Sequence, residues 1–151
     1  MQTTAAGAYT IPYLNPGVYT VEVSMTGFQT LKREQIVLRI GEPNPILDEL
    51  LEADGAATAA YLTAANPRGE PASREDNDIA AAALYESLLA EGLVCYGGEG
   101  RDPEERWTPE PSLLVLGISR ARAESVGREF EQNAIVFVRK GAAPELVVLK
   151  D

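Results

Sequence analysis

The sequence contains no histidine and one cysteine, Cys95. The missing histidine removes Ser-His-Asp and Cys-His catalysis. Together the two shortages leave no His or Cys cluster to hold a metal. A lone cysteine cannot close a disulfide within the chain, so nothing calls for an oxidising compartment. Cations are also scarce, with 13 Lys and Arg against 23 Asp and Glu and a formal net charge of −10. Nucleic-acid binding needs clustered cations to neutralise phosphates, and anionic membrane surfaces attract the same patches. Neither partner fits this chain. No apolar run reaches the length of a membrane span, and Met1-Gln2-Thr3-Thr4 lacks the basic start of a secretory signal. The expected setting is the cytoplasm.

What is present suits a globular domain. The 151 residues are 45% hydrophobic and 24% charged, enough to bury a core without staples. Residues 8–40 read as β structure: Tyr9-Thr10-Ile11, then Val18 to Val23 after the Asn15-Pro16-Gly17 turn, then Gln35 to Ile40. Asn44-Pro45 starts a helix with Ile46, Leu47, Leu50 and Leu51 on one stripe, ending at Asp54-Gly55. Residues 58–65 form a short buried strand that stops at Asn66-Pro67. Ser73 opens a longer helix running to Gly92, followed by a strand from Leu93 to Tyr96 and a polar loop beginning Gly97-Gly98-Glu99-Gly100. Ser112 to Ile118 has the continuous apolar character of a central strand. Ser119 caps a third helix, and 133–138 with 145–149 make a closing hairpin.

From residue 58 the order is strand, helix, strand, strand, helix, strand, strand. Right-handed crossovers make this a split βαβ, ferredoxin-like arrangement: an α+β fold with a mostly antiparallel sheet and both helices on one face. The expected division is a β-hairpin extension over 1–34 and a globular domain over 35–151. In that topology Thr63, Asn66, Asn77, Trp107, Glu110, Ser112, Gln132 and Asn133 gather along one sheet edge. Each has a plainer reading as well. Asn66 before Pro67 is a common turn pair, Asn77 suits a first helical turn, and Gln132 and Asn133 can satisfy the last carbonyls of a helix.

Two resemblances overlie this reading. Gly7 to Ile11, Leu14 to Val23 and Gly27-Phe28 resemble the later strands of a carboxypeptidase-regulatory-like β-sandwich domain. Thr63 to Pro67, Ser73 with Asn77, Trp107 to Val115, Phe130 to Val136 and Pro144 to Val147 resemble the domain of unknown function 3293 family over residues 36–149. Where that family commonly carries tryptophan, this chain has Ala65. The second resemblance implies a fold unit and a set of motifs, and no activity.

The expected function is binding of a polar or anionic small molecule at that edge, where carboxamides supply paired donors and acceptors and a helix N-terminus favours an anion. A second reading is an enzyme with Glu110 as general acid or base, although Ser112 lacks an evident base and the balance leans away from catalysis. A third is an interaction module using the N-terminal hairpin or a sheet edge. No cofactor or metal is implied, and oligomeric state is left open.

Overall fold

A computed structural model of the chain describes residues 18–25, 32–101 and 108–149. The expected strand at Tyr9-Thr10-Ile11 and the residue Trp107 lie outside them. Among the described residues seven strands form one sheet: β1 (Val18–Met25), β2 (Lys32–Arg39), β3 (Thr58–Thr63), β4 (Val94–Arg101), β5 (Glu110–Leu116), β6 (Ala134–Arg139) and β7 (Glu145–Val148). Their order is β2-β1-β4-β5-β3-β6-β7, and every neighbouring pair is antiparallel. Among the described residues three α-helices accompany them: α1 (Pro45–Asp54), α2 (Arg74–Ala90) and α3 (Arg120–Glu129). The chain is α+β with an antiparallel sheet, as its pattern predicts. The hairpin β1-β2 extends that sheet through β1, which pairs with β4 over Val18 to Val21.

The period-2 alternation of the strands divides the core into two layers. On one face, Leu84 and Leu88 of α2 and Ala123 and Val126 of α3 pack on Ala60, Leu62, Val115 and Phe137. The two crossover helices therefore share a face, as expected. Gly127 lets α3 come close, because a Cβ there would stand 2.4 Å from Leu149 Cδ1 and 2.8 Å from Ile135 Cγ2.

On the other face, Leu47, Leu50 and Leu51 of α1 pack on Ile36, Leu38, Ala59, Leu116 and Val138. Asn44 sets the start of α1: its side-chain oxygen accepts from Leu47 N–H at 3.0 Å, and its Nδ2 donates to Val37 O in β2 at 2.9 Å. Gly55 ends the helix in the left-handed conformation at φ 72°. Beyond β2, Gly41 N–H donates to Pro144 O just before β7, at 2.9 Å. The two outermost strands thus approach each other, and the twisted sheet curls around α1. Gly141 N–H donates to Asp48 Oδ1 (2.9 Å) and Lys140 pairs with Glu52, tying the β6-β7 turn to the same helix.

Cys95 lies half-buried in β4, on the face covered by α2 and α3, and burial pushes its thiol up to about 11. That is the behaviour of a small core residue. No helix among the described residues is long and apolar enough to cross a membrane.

Candidate functional site

The curled face that α1 occupies is left open at one end. There a cleft of about 220 Å³ crosses the ends of β3, β5 and β6. Tyr61, Thr63, Glu110, Ser112, Ala134 and Val136 line it. By strand alternation they lie on the same sheet face as α1. Asn66, Gly69 and Pro71 line it from the loop after β3, and Gln132 and Asn133 from the loop after α3.

Gly98 and Gly100 sit opposite Ser112 and Glu110 in the β4-β5 ladder, so at these two positions the strand beside the carboxylate brings no side chain to that face. The sequence pattern placed Gly97 to Gly100 in a loop, and the structure corrects this. These residues belong to β4, paired with β5 on one side and, from Gly98, with β1 on the other. Two hydrogen-bonded neighbours override the weak strand preference of glycine, and backbone without side chains is what an open cleft beside a sheet requires.

Asn66 is the organiser. Pro67 disfavours the right-handed helical region for the residue before it, and Asn66 adopts the left-handed region at φ 47°, ψ 64°. The non-glycine residues with positive φ among the described ones are Asn66, Arg68 and Glu131. All three belong to the two loops that carry the rim. Those loops are joined, since Arg68 N–H donates to Glu131 O at 2.7 Å and the two side chains form an ion pair. Unfavourable backbone conformations concentrated at one place are characteristic of sites that need a fixed geometry.

The Asn66 side chain is oriented by its partners. Its Oδ1 accepts from Ala72 N–H and from Asn77 Nδ2, each at 3.0 Å. Asn77 Oδ1 in turn accepts from Asn66 N–H at 2.9 Å. With two donors on its oxygen, the amide must turn its nitrogen the other way, and Asn66 Nδ2 donates to Glu110 Oε2 at 2.7 Å. Residue 110 retains some exposure at the end of its strand, but its carboxyl group is enclosed. Burial pushes that carboxyl up to about 7, against a smaller downward pull from the Asn66 hydrogen bond.

The structure brings together most of the residues expected to meet, in different roles. Glu110, Asn66, Gln132 and Asn133 face the cleft. Thr63 and Ser112 line it but are partly committed to the backbone: Thr63 Oγ donates to Pro111 O at 2.7 Å and accepts from Ala65 N–H, while Ser112 Oγ donates to Glu110 O at 3.0 Å. Asn77 stands behind the cleft and acts on Asn66. Tyr61 and Gly100 also line the cleft, with Gly98 next along β4, although none of the three is among the candidate site residues expected from the sequence. A period-2 reading of 96–100 against a neighbouring strand would have put both glycines on one face, but only if residues 97–100 had been taken as strand.

The first turn of α2, expected to favour an anion, is capped by Ser73. Asp76 N–H donates to Ser73 Oγ and Asn77 N–H to Ser73 O. Its opening also carries Glu75 and Asp76. Among the described residues no group of His, Cys, Asp and Glu could hold a metal ion.

Residues 62–135 match the family described as protein of unknown function, DUF3293, and residues 1–49 match the carboxypeptidase regulatory-like domain. Both matches agree with the resemblances carried by the motifs. The first runs from Leu62 in β3 to Ile135 in β6 and so contains the whole Asn66, Asn77, Glu110, Gln132 constellation. The second contains β1, β2 and the first half of α1. No curated protein and no solved structure matches the chain.

Proposed function

We propose that this domain binds a polar small molecule in the cleft between the ends of β3, β5 and β6. The observation that carries the reading is Glu110, an enclosed carboxyl group in an open cleft with one oriented amide on it. Enclosing a carboxyl in an apolar setting costs stability, and an apolar residue would pack there more cheaply. Clefts with a few convergent polar groups over apolar walls are the usual form of ligand sites. The room corresponds to about seven waters, at ~30 Å³ each, which suits a small metabolite or one end of a larger one.

A fragment screen read by amide NMR shifts tests this. Hits are expected to move the resonances of Gly100, Ser112, Gln132 and Asn133, and to lose that effect in Glu110→Ala. Hits that cluster elsewhere, or that bind Glu110→Ala equally well, overturn the reading.

One observation favours catalysis as a second reading. A carboxyl held up to about 7 is matched to proton transfer near neutral pH. Glu110→Gln separates the two: it abolishes turnover in an enzyme, whereas a pure binding site shows no turnover to lose.

A further inference from the structure

We infer that the cleft takes the amino or guanidino end of a small organic cation, with Glu110 as its counter-ion and Gln132 Oε1 as a second acceptor. The inference rests on the cleft being a ligand site and adds the chemical class of the ligand.

Gln132 Nε2 donates to Ala65 O and to Phe130 O, both at 3.1 Å. Two carbonyl partners fix the amide nitrogen, so Oε1 is the pole left over. Glu110 Oε2 receives Asn66 Nδ2, and among the described residues nothing donates to Oε1. Ser112 Oγ has given its hydrogen to Glu110 O and retains lone pairs. Acceptors therefore predominate. Among the described lining residues, the side-chain donors that remain are the second amide hydrogen of Asn66 and the amide of Asn133, the Tyr61 side chain being engaged.

Charge points the same way. No Lys or Arg of the described residues lines the cleft. Among the described residues, Arg68 of the rim loop pairs with Glu131 and Glu70. An anionic ligand would meet an enclosed acid with no compensating cation among the described lining residues, whereas an ammonium or guanidinium would supply the missing donors and offset the buried charge.

Four probes of matched size decide the matter on the intact chain: n-butylammonium, n-propylguanidinium, n-butyrate and n-butanol, titrated at equal ionic strength. The readouts are the Glu110 Cδ resonance and the amides of Gly100, Ser112 and Gln132. Both cations are expected to shift all four residues saturably and to bind at least about tenfold more tightly than butyrate or butanol, equivalent to ~1.4 kcal/mol. Glu110→Gln is expected to remove that advantage. If butanol matches the cations at the same residues, the cleft remains a ligand site and the cationic class is wrong. If butyrate binds there more tightly than the cations, the charge argument is reversed. If no probe moves these residues, the ligand-site reading fails and takes this one with it. Should Glu110→Gln not fold, the ranking of the four probes on the unaltered chain still separates these outcomes.

Discussion

One face of the sheet lies under two helices, while the other meets a single helix and stays open beyond it. Under α2 and α3 the buried side chains, among them Leu84, Leu88, Val115, Ile118 and Phe137, are apolar. On the α1 face the apolar layer of Leu47, Leu51, Ala59, Leu116 and Val138 gives way, along the same strands, to Ser112, Glu110 and the bare backbone of Gly98 and Gly100. The same strands thus carry an apolar layer on both sides, and on one side that layer ends in polar groups. A rigid, helix-backed sheet can hold polar groups in fixed positions because its opposite face has already secured the fold.

The sharpest way to break this contrast is to cut into the closed face. Phe137, 1% exposed, makes up much of that layer. Phe137→Ala is expected to destabilise the chain by roughly 3–5 kcal/mol in urea unfolding. A loss below about 1 kcal/mol would mean that this layer does not carry the fold.

The open face is expected to behave in the opposite sense at Glu110. Its carboxyl lies above the ordinary value of 4.5, at about 7, in the folded chain. The folded state therefore holds a proton that the unfolded state has already lost, and stability falls as pH rises from about 4.5 to about 7, then levels off. Glu110→Gln removes that decline while keeping an oxygen for Asn66 Nδ2. The variant should gain roughly 1–3 kcal/mol over the parent at about pH 8 and nothing at about pH 4. Equal stability of the two proteins at both values would show that the carboxyl is not enclosed.

The smallest expected effect is at Asn77. Asn77→Ala leaves Asn66 N–H and one lone pair of its Oδ1 without partners, at a cost of about 1 kcal/mol. The effect specific to the site is on Glu110. With the amide of Asn66 less well held, its donor to Oε2 weakens and the carboxyl titrates higher than in the parent, a shift readable by NMR. Loss of stability with unchanged Glu110 titration would reduce Asn77 to a packing role.

Much of this was legible in the chain. Asn44-Pro45 and Gly55 bounded α1, and Ser73 and Ser119 capped their helices, because caps and turn residues act locally. The polar positions Asn66, Glu110 and Gln132 line one cleft, and the order of strands and helices had already put them at one sheet edge. Three features were not legible. Residues 97–100 are strand only because β1 and β5 flank them, and no local preference of glycine announces that. Which face α1 takes depends on the curl of the sheet and on contacts such as Gly41 with Pro144, far apart in sequence. The division of labour between Asn66 and Asn77 depends on which amide atom meets which partner.

The sequence alone determined the helices, most of the strands, the antiparallel sheet and the set of polar residues at one edge, since each follows from periodicity and turn chemistry within a short window. Only the tertiary structure decided which of those residues face a cavity, which one is an enclosed acid, and which merely hold the others. Burial and hydrogen-bond direction are properties of neighbours brought together from distant parts of the chain, and no local pattern encodes them.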